Sequence, residues 1–203
     1  DALAYLQARN FTNVVVSSTR FVPVLDQRNT PATGLGGKLE LRPPVGDAHV
    51  LRVGMDFRRA EGELFETAIS AFSGNITARR NAGGTNTDLG LFVEDDWSLG
   101  RLVLTLGARL DRWTIRDGFY TERDASGELL STDSFADRAG WDASFRGGVL
   151  YRANDVVALR AAAYSGLRLP TLNELYRPFV VFPVVTQANA ALENERLEGF
   201  EAG

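Results

Sequence analysis

The sequence predicts an all-β chain: antiparallel, up-and-down strands that form a segment of a transmembrane β-barrel wall. Three observations carry this reading. First, Leu102, Leu104, Leu106, Ala108 and Leu110 share one face of an extended run, while Val103, Thr105, Gly107, Arg109 and Asp111 share the other. Period-2 alternation of this kind separates into two faces only in a strand. Second, the connections between such runs alternate long, short, long, short along the chain, which puts every long one on the same side. Third, one face is uniformly apolar and the other carries small residues and full charges. A barrel in lipid turns these outward and inward respectively, whereas a soluble sandwich would bury the apolar face and wet the polar one.

The elements follow in order. Residues 5–18, rich in Val and Thr, are the first strand, and 19–34 is a connection with two prolines. Residues 35–42 are the second strand, with Leu35, Leu39 and Leu41 opposed to Lys38, Glu40 and Arg42. The turn at 43–47 opens with Pro43-Pro44, which a central strand excludes. The third strand, 49–59, sets Leu51, Val53, Met55 and Phe57 against Arg52, Gly54, Asp56 and Arg58. A long connection at 60–86 follows, within which 66–80 has room for a short extra pair. Strands four and five are the hairpin around Ser98-Leu99-Gly100. A polar connection at 116–139 leads to strand six, 141–152. The turn Ala153-Asn154-Asp155 leads to strand seven, 156–168. A last long connection ends near residue 194, and 195–203 begins strand eight.

Bulk properties bound the function. Of 203 residues, 44% are hydrophobic and 24% charged, so the chain is not disordered. No apolar run approaches the length of a transmembrane helix, a test that barrel strands never meet. A net charge of -4, from 22 basic and 26 acidic residues, argues against nucleic acid as a partner. The chain has no cysteine, which excludes disulfides, thiol catalysis and zinc–thiolate sites. Starting at Asp1 and stopping mid-pattern at Gly203, it reads as part of a longer protein.

Arg52, Asp56, Arg58, Arg109, Asp111, Arg146 and Arg160 fall on the inward face. Unpaired charges facing lipid would cost about 2–4 kcal/mol each at mid-bilayer, so a polar lumen is the consistent assignment, with these groups pairing among themselves. Trp97, Tyr151 and Trp141 occupy girdle positions on the apolar face. Trp113 points to the lumen unless a bulge follows Asp111. His49, the only histidine, has no ligand-spaced partner and reads as a surface residue. Asp95-Asp96 and Glu193–Glu195 lack calcium-loop spacing, and Gly36-Gly37 and Gly83-Gly84 lack phosphate-loop context. Nothing supports catalysis, a cofactor or a metal site.

The stretch Pro170-Thr171-Leu172-Asn173-Glu174-Leu175-Tyr176, preceded by Leu167-Arg168-Leu169, resembles the late barrel region of TonB-dependent outer-membrane receptors. Asn189, Leu192 and Glu195 continue the resemblance, with Ala190 and Asn194 where the family has prolines. Leu91 to Trp97 and Leu104 to Asp111 look like a second family stretch, so the likeness covers most of the chain from Gly34.

The resemblance implies that residues 1–203 are about eight strands of a 22-stranded barrel, lacking the plug domain and the C-terminal strands. It implies a Gram-negative outer membrane, lipid around the wall, and a plug domain inside it. It also implies uptake of a scarce small molecule or metal chelate, such as an iron–siderophore or cobalamin, driven through TonB acting on an N-terminal box. The alternatives are a passive porin or adhesin translocator without a plug, a soluble sandwich binding module and, remotely, an outer-membrane enzyme. The external connections supply candidate ligand contacts: Tyr120, Arg123, Tyr176, Arg177 and Phe179. Alone in water, the segment is expected to aggregate through its open edges and apolar face.

Overall fold

The computed structural model describes residues 1–181 and 184–203. Its strands are β1 (Ala2–Val16), β2 (Pro23–Leu41), β3 (His49–Ile69), β4 (Ile76–Leu99), β5 (Leu102–Asp124), β6 (Leu129–Ser134), β7 (Arg138–Arg152) and β8 (Ala158–Arg168). Helix α1 (Leu172–Tyr176), the small pair β9 (Phe179–Val181) and β10 (Val184–Thr186), and β11 (Glu195–Ala202) complete the chain. One antiparallel sheet runs β1-β2-β3-β4-β5-β7-β8-β11, with β6 added to β5 off this path. The eight strands of the path come in the expected order. The sheet is open, with β1 and β11 at its edges.

Three expected connections are largely strand. Residues 23–34 belong to β2, 60–69 and 76–86 to β3 and β4, and 116–124 and 129–134 to β5 and β6. The β3–β4 ladder runs from His49↔Trp97 to Ala68↔Ala78 without a break. These rungs escape a periodicity test for a physical reason. Above the lipid the outward positions Glu61, Glu63, Asn81 and Thr85 have no apolar stripe to keep, while the backbone ladder continues unchanged. Between the eight strands of the path, the links are 17–22, 70–75, 125–137 with β6 inside it, and 169–194 with α1, β9 and β10 inside it, at one end, and 42–48, 100–101 and 153–157 at the other. The tightest of them turns on Gly100, whose φ of 61° suits the first central position of a two-residue hairpin.

The outward face is as apolar as expected. Leu106 is 68% exposed and Phe145 61%, with Leu91, Val93 and Met55 beside them, surface that only lipid would cover. Trp97, Trp141 and Tyr151 are exposed on the same face. Trp113 faces the lumen. The β5–β7 register passes through it unbroken, so no bulge follows Asp111. Its indole Nε1 donates to Asp142 at 2.8 Å, a partner that lipid could not supply. The β5 irregularity comes later, between Arg116 and Phe119.

His49 does have a partner: its Nδ1 lies 2.6 Å from Asp95 Oδ2, and its ring stacks on Trp97 at 5.4 Å. The partner sits on the adjacent strand, where sequence spacing does not reveal it. The densest packing is inside the wall. Ile115, Leu175 and Tyr176 are buried together, with Trp113, Phe135, Leu172 and Ala190 against them.

Candidate functional site

Two layers of charge line the inner face. In the lower layer Arg109 donates to Asp56 at 2.5 and 3.0 Å and to Asp111 at 2.8 and 2.9 Å. Arg52 bridges Glu94 at 2.7 Å and Asp96 at 2.8 Å, and Arg146 also reaches Glu94. Alternation sends these side chains inward, and antiparallel register brings opposite charges level. A cavity of about 820 Å³ opens among Lys38, Arg52, Phe92, Arg109 and Arg146. Arg58 and Arg160 share the inner face without an ion pair among the described residues. At Gly90 a Cβ would collide with the Arg109 guanidinium, so the glycine makes room for the cation.

The upper layer centres on Glu66, whose side chain has no solvent exposure. It accepts from Gln27 at 2.9 Å, from Arg80 at 3.1 Å and from Arg177 at 3.0 and 2.5 Å. Arg80 also approaches Glu122 at 3.4 Å, and the Tyr120 hydroxyl donates to Glu122 at 2.6 Å. A cavity of about 400 Å³ lies among Arg80, Tyr120, Glu122, Asp133, Phe135 and Tyr176.

The segment from Pro170 to Tyr176 folds down onto this layer. Thr171 caps α1, its side chain accepting from Glu174 N while the Glu174 carboxylate accepts from Thr171 N, a complete capping box. That fixes a five-residue helix, too short to persist without docking. Leu175 and Tyr176 supply the docking. Tyr176 stacks on Phe135 at 4.7 Å and lies over Gly118, where a Cβ would strike its ring. Pro170 is buried, and its carbonyl faces the Asn86 amide at 3.5 Å. Asn173 is exposed, and its carbonyl accepts from Arg177 N at 3.1 Å. The carbonyl of Ala190 accepts from Arg138 at 2.9 Å, and Asn194 donates to Asp142 at 3.0 Å.

Arg168 ties the two ends of this connection together. It donates to Glu174 at 3.1 and 3.0 Å and to Glu195 at 2.8 and 2.5 Å. The Arg168 guanidinium, with help from Thr171, holds the Glu174 carboxyl down from 4.5 to about 2. A depressed acid contributes above its unfolded pKa and loses that contribution as pH falls through the folded one. The tie is therefore expected to be complete above about pH 4.5 and to be lost as pH falls toward 2. Limited proteolysis of residues 169–194 across that range checks this. Cleavage that stays flat with pH, and stays flat in Arg168→Ala, would show that the tie does not hold the segment.

The five expected ligand contacts do not form one surface. Tyr120 and Tyr176 are buried in the upper layer, and Arg177 is pinned to Glu66. Phe179 is exposed, with the Arg177 guanidinium 4.9 Å from its ring centre. Arg123 faces outward, donating to the Gly127 carbonyl at 3.1 Å. The sequence does not single out Glu66, Arg80, Glu122 and Gln27, because period-2 alternation lapses along their parts of the strands. The one trace was the room for a pair at 66–80. Among the described residues, no group of three or more His, Asp or Glu side chains is placed to hold a metal ion.

A search of curated proteins gives no match. Among solved structures, the fold is similar to the ferric yersiniabactin uptake receptor FyuA from Yersinia pestis, with a TM-score of 0.64 at 13% identity. The match covers 84% of this chain and 27% of that one, so the chain spans about a quarter of the receptor's length. The family model for the β-barrel of TonB-dependent receptor-like proteins matches residues 2–203. The open antiparallel wall, its lipid-ready outer face and its charged lumen agree with that match: the chain belongs to the TonB-dependent receptor β-barrel family.

Proposed function

We propose that this chain is part of the wall of an outer-membrane receptor that imports a scarce small molecule or metal chelate with energy delivered through TonB. Family membership across the whole chain supports the class. The observation that carries the reading further is the inward fold of Pro170–Arg177, docked through Tyr176 and anchored to Glu66. A passive porin gains little from packing its mouth in this way, whereas a receptor needs an ordered surface there. The exposed Phe179 ring beside Arg177 is the part of this segment best placed to meet a ligand. A plug domain would face the charged lower layer, and an upstream box would engage TonB. The FyuA likeness makes a ferric siderophore the first ligand to try.

The test is uptake of radiolabelled iron chelates by Gram-negative cells carrying the full-length protein. Accumulation is expected to stop when TonB is deleted or the proton-motive force is collapsed. Flux that persists unchanged in both conditions would replace this reading with the passive porin.

A further inference from the structure

The outward face changes character where its apolar band stops. On β5 the outward series runs Leu102, Leu104, Leu106, Ala108, Leu110 and then Arg112. On β3 it runs Leu51, Val53, Met55, Phe57 and then Arg59. Leu102 to Leu110 spans about 27 Å along the strand, which a barrel tilt reduces to about 20 Å of height. The outward apolar band of such barrels is about 25 Å tall, so Arg59 and Arg112 sit at headgroup level.

Register identifies their neighbours. Arg116 pairs with Thr85 and keeps the outward phase of Arg112. The irregularity between Arg116 and Phe119 shifts the phase, and Arg123, opposite Arg79, then faces outward as well. Five arginines therefore stand on the outside of β3–β5 above the apolar band, against the acids Glu61 and Glu63, with the exposed Asp117 and Asp137 beside Arg116. This excess of positive charge lies on a chain whose net charge is -4. The patch is local: the corresponding outward positions of β1, β2 and β7 hold Ala8, Asn10, Pro31, Thr33 and Ala139, all uncharged.

The side chains are arranged for an anion. Arg112 is held against the wall by the carbonyls of Trp113 and Gly140, at 3.1 and 3.0 Å, and its guanidinium lies 5.6 Å from the centre of the exposed Trp141 ring. Arg116 is exposed. Arg59 makes only a long 3.4 Å contact with Glu61, both being exposed, and Glu63 is occupied by Asn81 at 2.9 Å. Strand spacings put the backbones of Arg59, Arg112 and Arg116 at the corners of a triangle with sides of about 12–13 Å. Planar guanidinium forks at that spacing suit a headgroup carrying more than one phosphate.

We propose that Arg59, Arg112 and Arg116, with Trp141 at their lower edge, form an external binding site for a multiply phosphorylated glycolipid headgroup of the outer leaflet. The site is independent of which ligand the lumen carries. Lipid bound here would seal the wall where apolar surface gives way to charge, and it would fix the height of the barrel in the membrane.

The test uses the full-length receptor in detergent, stripped of lipid, with folding verified by heat-modifiable electrophoretic migration. Binding of a bis-phosphorylated glycolipid is compared with that of its dephosphorylated form and of inorganic phosphate. Each arginine at a charged lipid surface contributes about fivefold, so the triple variant R59Q/R112Q/R116Q is expected to bind the phosphorylated lipid roughly a hundredfold more weakly. Glu61→Gln is expected to bind at least as tightly as the parent. Unchanged affinity in the folded triple variant, or equal affinity for the dephosphorylated lipid, would overturn the proposal. Inorganic phosphate binding as tightly as the lipid would overturn the lipid as its source.

Discussion

Replacing Glu66 with alanine is expected to destabilise the upper barrel by about 3–5 kcal/mol, the usual cost of removing one partner from a buried ion pair. Three side chains converge on this carboxylate, and two of them are the cations Arg80 and Arg177. Without it, two largely buried guanidinium groups, with 12% and 13% side-chain exposure, lose the carboxylate they share. The double variant E66A/R177A should recover part of the loss, because it removes one of the stranded charges. Thermal or denaturant unfolding of the full-length protein in lipid measures both. A midpoint unmoved by E66A would mean that the upper layer contributes nothing to holding the mouth together.

Tyr176→Ala is expected to cost a similar ~3–5 kcal/mol, here through lost packing rather than charge. The ring is 1% exposed, stacks on Phe135 and fills the space above Gly118. A five-residue helix cannot hold itself in place, so α1 should undock and carry Arg177 away from Glu66. Chymotrypsin should then cut after Phe179 much faster than in the parent, while Tyr176→Phe, which keeps the ring, should behave like the parent. Cleavage at equal rates in the alanine variant and the parent would sink this account of the segment.

The membrane-embedded part of the wall was legible because lipid imposes a rule on every second residue. Leu102 to Leu110 and Leu51 to Phe57 obey it, and their inward neighbours, Arg109 and Asp56 among them, could be assigned to the lumen before any contact was seen. Above the lipid the rule lapses. Glu61 and Glu63 then look like loop residues although they lie in a continuous ladder, and Glu66 and Arg80 went unnoticed with them. Trp113 was placed correctly by simple alternation; the expectation that a girdle tryptophan needs a bulge was unnecessary, because Asp142 satisfies its N–H. The role of Tyr176 depends on contacts across more than forty residues, with Phe135 and Gly118, and no local pattern reports those.

The length of β4 has a consequence for how the protein meets its surroundings. Its 24 residues extend ~80 Å along the strand, or ~60 Å of height at a barrel tilt. An apolar band of ~25 Å leaves a stiff collar of about 35 Å standing clear of the lipid. The tip between β3 and β4, where Arg20 lies 3.9 Å over the ring of the exposed Phe72, is therefore carried well clear of the lipid. Anything that approaches the wall from that end meets this rim before it meets the membrane.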